Sequence, residues 1–186
     1  VERHRVRALL GAVREEAAPV ELCLLHETQQ LVVVVLGLAR VADDEVAAER
    51  GVGFAFARYK NIMGYCAIAV ELTVHPQTGE VEIERVVTAV DVGQIVSPDG
   101  LRNQVQGGII QSASWTLYEA VDYDAKGVHS YDWSGYPILR FPQLPSKVEV
   151  HLIDQPGQPF LGAAEIVQGP MAGAIGNAFA NATGQR

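Results

Sequence analysis

The chain has 186 residues, 48% of them hydrophobic and 19% charged, with a formal net charge of -8, enough for one globular unit that buries roughly 70% of its unfolded surface. The acidic balance excludes nucleic acid as a partner, since phosphate binding needs a basic face and the one basic cluster, Arg3-His4-Arg5-Val6-Arg7, is short. The most apolar run, Leu31 to Leu36, even extended to Ala39, falls short of the roughly 20 residues of a membrane helix; Cys23 and Cys66 form no CxxC pair, and the five histidines show no metal-ligand spacing, which argues against a zinc site and excludes a four-thiolate iron-sulfur cluster.

Residues 5 to 17 carry a helical pattern, with Val6, Leu9, Leu10 and Val13 on one side, closed by Pro19. Residues 20 to 50 join a β-like run at Leu31 to Leu36 to an acidic, helix-favouring stretch, so 1–50 reads as a helical segment of uncertain role. From Gly51 the texture is strongly β. Cys66, Ile68, Val70, Leu72 and Val74 alternate with Tyr65, Ala67, Ala69, Glu71 and Thr73; His75-Pro76-Gln77-Thr78-Gly79 makes a turn, and Val81, Ile83, Val87 and Ala89 resume the alternation. This predicts a hairpin with one buried face and one solvated face carrying Glu80, Glu82 and Glu84.

Ser97 as N-cap, Pro98 at the first position and Asp99 in the first turn open a long helix to about Ala120, with Leu101, Val105, Ile109, Ala113 and Leu117 at i+4 steps. At about 100° per residue, Gln104, Gly107, Gly108 and Gln111 fall on one side of it. Two interior glycines each cost about 1 kcal/mol relative to alanine, so something approaches the backbone there. Either another element packs closely, or a polar ligand lies along the glycines between amides that both donate and accept. Lys147 to Ile153 alternates as a further strand, and Gly169-Pro170 starts a final small-residue helix through Ala174, Ile175, Phe179 and Ala180. Irregular alternation of strands and helices favours an α+β fold with a mixed sheet. Gly51-Val52-Gly53 lacks the third glycine of a dinucleotide fingerprint and leads into a strand. Asn181-Ala182-Thr183 fits a glycosylation sequon without other signs of secretion.

Glu165 is the one charged side chain between Asp154 and Arg186, set in Pro159-Phe160-Leu161-Gly162-Ala163-Ala164-Glu165-Ile166-Val167-Gln168-Gly169-Pro170. Such surroundings predict a half-buried carboxylate with a raised pKa, suited to general-base work. The plainer reading is an acid that complements the positive end of the helix at Pro170.

Several motifs occur together in order: Gly53-Phe54-Ala55-Phe56-Ala57-Arg58-Tyr59-Lys60-Asn61, Ala89-Val90-Asp91-Val92-Gly93, Ser97-Pro98-Asp99-Gly100, Asn103 to Gln111, Asp132 to Phe141 and the Glu165 segment. In this order, 51–186 resembles the C-terminal region of the large, molybdopterin-binding subunit of the xanthine dehydrogenase and aldehyde oxidase family, in particular its isoquinoline 1-oxidoreductase type. The resemblance implies an α+β part of a larger molybdopterin-binding domain. It also implies a molybdenum hydroxylase that hydroxylates an aldehyde or N-heteroaromatic carbon with water as oxygen source. Glu165 matches the family's catalytic glutamate in a G-x-G-E stretch, a general base that does not bind the metal, which the pterin dithiolene holds. Gln104 matches a glutamine near the cofactor; Gly107 and Gly108 would let the pterin or a neighbouring loop come close, and Gln111 joins them.

The implied cofactor is molybdopterin with molybdenum, in the cytosine dinucleotide form. The implied partners are a small-molecule substrate, the first half of the large subunit and an iron-sulfur electron-transfer subunit or domain. The alternative is a non-catalytic remnant or interaction domain that binds no cofactor. Both ends read as cut, at Val1 and at Arg186 just after Thr183-Gly184. Location is cytoplasmic by default, or periplasmic given an upstream export signal. Ala164 stands where the family usually has glycine, which matters if that position is left-handed. Gln106 replaces a common glutamate, and residues 20 to 50 carry none of the family's motifs.

Overall fold

The computed structural model describes residues 49–61 and 64–185; the helix expected over 5 to 17 and the β-like run at 31–36 lie outside the described residues. Strands β1 (Glu49–Arg58), β2 (Tyr65–His75), β3 (Glu80–Asp91) and, later in the chain, β6 (Lys147–Ile153) form one sheet in the order β1-β2-β3-β6. The first three run antiparallel, while β6 joins β3 in parallel, which makes the sheet mixed. Helix α1 (Pro98–Leu117), a two-strand ribbon of β4 (Tyr123–Asp124) and β5 (Gly127–Val128), and a short 3-10 turn at Phe141–Gln143 lie between β3 and β6. Helix α2 (Gln168–Thr183) closes the described chain, packing on β1 and β2 and against α1.

Local signals in the sequence account for most of these elements. Ser97 caps α1, its hydroxyl accepting from Gly100 N–H at 3.3 Å with Pro98 at the first turn, a cap worth about 1 kcal/mol. The i+4 stripe of Leu101, Val105, Ile109 and Ala113 is buried against Ile68, Val70, Val167 and Met171 in one core. Each fully buried aliphatic side chain of this kind contributes about 1.5–3 kcal/mol. Cys66 lies in the same core at 0% exposure, and burial pushes its thiol up to about 12, an inert group.

The hairpin forms as its alternation predicts, but its second half does not keep one phase. A β-bulge opposite Glu71 and Leu72 pairs Glu71 with Arg85 and Leu72 with Ile83, leaving Glu84 as the extra residue. Val86 and Val90 therefore continue the face of Val81 and Ile83, and Ala89 turns to the other side. The second face is also not uniformly solvated. Glu80 and Glu82 at the turn end are exposed, but Ala67, Ala69 and Ala89 further along are 0–2% exposed. Between them Arg85 bridges Glu71 at 3.1 Å and Glu149 at 2.7 Å across three strands. Arg85 and Lys147 hold the Glu149 carboxyl below the usual carboxylate range.

Glycines let α2 sit directly on β1. A Cβ on Gly51 would lie 2.0 Å from Ala178 O and one on Gly53 would lie 2.1 Å from Ala174 O. The small residues of α2 thus match a glycine track on the strand. Asn181 Oδ1 accepts from Val52 N–H at 3.0 Å and Asn177 Nδ2 donates to Phe54 O at 2.9 Å, so the sequon asparagine is occupied in tying helix to strand.

Candidate active site

Glu165 lies in the turn that leads into α2, and this turn is anchored on both sides. Upstream, Leu161 N–H donates to Val92 O at 2.8 Å, and Gly93, at φ +72°, has Pro159 O only 2.1 Å from where a Cβ would be. Downstream, Ile166 and Val167 are 2% and 0% exposed. Ile166 and Val167 thus take the inward positions, while Glu165 is exposed at the surface, as is Phe160.

The half-buried carboxylate with a raised pKa is therefore not what the fold builds. The Tyr59 hydroxyl donates to Glu165 Oε2, the residue's own backbone N–H adds a second donor, and the Lys60 ammonium contributes positive charge; together they outweigh desolvation and hold the Glu165 carboxyl below the usual range. Hydrogen bonds to the ionised form favour it, and little burial opposes them. The plainer reading also needs correction. Helix α2 starts at Gln168, two residues before Pro170, with Val167 at its cap, no side-chain cap bond and no acid in its first turn.

Ala164, immediately before Glu165, has φ +37°. This is left-handed backbone, where a Cβ costs roughly 1–2 kcal/mol. Alanine at a position that favours glycine thus places strain next to the candidate base.

Helix α1 braces this turn with its amide face. Gln104 Nε2 donates to Ala164 O at 3.0 Å, and Gln111 Oε1 accepts from Gln168 Nε2 at 2.9 Å. Ser112 Oγ, one residue on, donates to Gln168 O at 3.4 Å. The two glycines between the glutamines serve different ends. A Cβ on Gly108 would lie 2.4 Å from Val167 Cγ2, whereas one on Gly107 would meet nothing within 4 Å among the described residues. Close packing explains Gly108; open space lies beside Gly107.

All four positions of this face line one open depression of about 570 Å³, together with Ala164 and Gln168. A second depression of about 260 Å³ lies towards the start of α1, between Ser97, Leu101 and Phe160. Gln104 and Ala164 line both, so their hydrogen bond stands at the partition. Glu165 itself lines neither.

Sequence reasoning singled out Glu165 and the amide face but missed their neighbours. Ser114 and Glu119 line the larger depression, and Gln168 closes its edge. Tyr136 Oη donates to Glu119 Oε2 at 2.9 Å, and Leu139 N–H donates to Ser114 Oγ at 3.1 Å. These bonds hold the 131–139 excursion against the end of α1. Tyr59, the partner of Glu165, is 106 residues away in sequence; its only signal was its place within the Arg58-Tyr59-Lys60-Asn61 motif. Among the described residues no three His, Cys, Asp or Glu side chains converge as a metal site, and no helix is long and apolar enough to cross a membrane.

Comparison with known proteins decides the family. The family model described as a molybdopterin cofactor-binding domain matches residues 34–145, more than half of the chain. The chain belongs to the molybdopterin cofactor-binding domain family. The beta subunit of isoquinoline 1-oxidoreductase from Brevundimonas diminuta is 36% identical over 183 residues, 94% of this chain and 23% of that protein. A nicotinate dehydrogenase subunit from Pseudomonas putida is 41% identical over 143 residues, 74% of this chain and 12% of that protein. The crystal structure of quinoline 2-oxidoreductase from Pseudomonas putida 86 shares the fold, with a TM-score of 0.61 at 21% identity over 65% of this chain and 16% of that one. The chain thus spans less than a quarter of the length of these relatives. Family likeness also begins upstream of Gly51, at residue 34, inside the stretch where the sequence shows no family motif. The residues around the larger depression suit a molybdopterin: two amides able to donate and accept, and bare backbone at Gly107.

Proposed function

We propose that the chain contributes the catalytic base and one wall of the cofactor site to a molybdenum hydroxylase that hydroxylates an aldehyde or N-heteroaromatic carbon, with water as oxygen source. The observation that carries this reading is the coupling of the α1 amide face to the Glu165 turn through the Gln104 to Ala164 bond. One helix thereby faces the cofactor and also sets the height of the base. When bound, the molybdopterin, in its cytosine dinucleotide form, supplies the redox-active metal.

Gln104 and Gln111 present amide edges to the pterin, Gly107 leaves room for its approach, and Gly108 keeps α1 tight against Val167 beneath it. Glu165 is ionised at neutral pH and accepts the proton of the attacking oxygen. The Tyr59 hydroxyl, its own backbone N–H and the Lys60 ammonium hold its carboxyl below the usual range, which keeps it in the ionised form that takes a proton. Electrons leave through an iron-sulfur subunit or domain.

The test is Glu165→Gln in the full-length subunit. Turnover should vanish with molybdenum and pterin content near wild type, because shape is kept and the base is lost. Activity within a few-fold of wild type removes Glu165 from the chemistry; loss of metal makes its role structural.

A further inference from the structure

We propose that Tyr59 is a positioning residue for Glu165, its hydroxyl engaging Oε2 so that Oε1 is the oxygen left to take the proton. This rests on the reading of Glu165 as the base and assigns the residue that aims it.

The contact is built from a second part of the fold. Tyr59 opens the 3-10 turn that follows β1, and its ring packs against the main core. The turn is closed by Tyr59 N–H donating to Gly64 O at 2.9 Å. Gly64 in turn leaves no room for a side chain: a Cβ there would lie 2.3 Å from Asp91 O and 3.0 Å from Ile166 Cδ1. Ile166 is the residue after Glu165, so the same turn that presents the hydroxyl also packs against the base of the Glu165 loop. Lys60, at φ 49° and ψ 21°, places its ammonium 5.1 Å from the centroid of the Tyr59 ring.

Among the described residues few other charges face the carboxylate. The turn after β1 supplies Tyr59 and Lys60, while the α1 side chains bonded to the loop, Gln104 and (through Gln168) Gln111, are neutral amides. The Tyr59 hydrogen bond is also the largest contribution that keeps the Glu165 carboxyl below its ordinary range. The Tyr59 hydrogen bond to Oε2 narrows the orientations open to the carboxylate, and orientation of a reacting group carries much of its catalytic value.

The experiment compares wild type with Tyr59→Phe in the full-length holoenzyme, with molybdenum and pterin measured on each preparation. The acid limb of the kcat/KM profile should move to higher pH in Tyr59→Phe, because a donor to the ionised form is gone. In the cofactor-free full-length subunit, the Glu165 carboxyl followed by infrared titration, and assigned by its disappearance in Glu165→Gln, should shift the same way. That second reading does not depend on turnover. If Glu165→Gln remains active the base assignment fails, but the titration still reports whether Tyr59 holds the carboxylate. Replacement of Tyr59 by 3-fluorotyrosine, a more acidic phenol of nearly the same shape, should move both readings to lower pH, and it serves if Tyr59→Phe does not fold. Unchanged acid limb and unchanged carboxyl titration in these variants overturn the proposal.

Discussion

The contact of α2 with β1 and the amide face of α1 are made of similar residues and behave in opposite ways. On β1, Gly51 and Gly53 leave 2.0 and 2.1 Å between a would-be Cβ and helix backbone oxygens, so the two elements touch along their main chains. On α1, a Cβ at Gly107 would meet nothing within 4 Å among the described residues, and amides stand near it at the rim of a depression. A glycine in a sequence announces that something uses the missing side chain. Whether that is another element or empty space depends on the partner, which local sequence does not name.

Substitutions in the full-length subunit sharpen this contrast. The largest effect is expected at Gly53→Val, where the new side chain meets helix backbone that cannot rotate aside; it should cost about 3 kcal/mol or more in urea unfolding. Gly108→Leu meets a valine side chain instead, and should cost about 1–3 kcal/mol and displace the Glu165 turn along with Val167. A stability within error of wild type at either position would mean that the close approaches relax freely. Gln104→Ala removes the hydrogen bond to Ala164 O, worth about 0.5–1.5 kcal/mol, and should lower pterin content by more than that small loss of stability accounts for. Full pterin occupancy there would show that α1 braces protein only. The smallest effect, with the opposite sign, is expected for Gly107→Ala, which should stabilise the fold by about 0.5–1 kcal/mol while reducing pterin content; unaltered pterin would mean that the open space beside it is not used.

Elements set by their own residues were legible in advance. Ser97-Pro98-Asp99 and the Leu101 to Ala113 stripe specify α1 locally, and the alternation from Tyr65 to Val74 specifies β2. The bulge at Glu84 was not legible, because an extra residue is defined only against the strand it fails to pair with. Glu165 was picked out by its isolation among apolar neighbours, but its exposure was not. The same apolar composition results whether the carboxylate or Ile166 and Val167 turn inward, and the fold turns the latter two inward. The alanine at 164 does matter, since its φ of +37° is the left-handed backbone that a glycine would adopt without strain. Tyr59 lay beyond reach for a different reason: a bond across 106 residues leaves no periodic trace.

The bonds from α2 back to β1 span 129 and 123 residues. During synthesis at about 5–20 residues per second, the glycine track of β1 leaves the ribosome roughly 6–25 seconds before the helix that covers it. Throughout that interval a strand edge and an apolar sheet face stand without their partner, which is the condition under which nascent chains aggregate or recruit chaperones. The yield of folded protein should therefore respond to translation speed and chaperone supply more strongly than the stability of the finished fold would suggest.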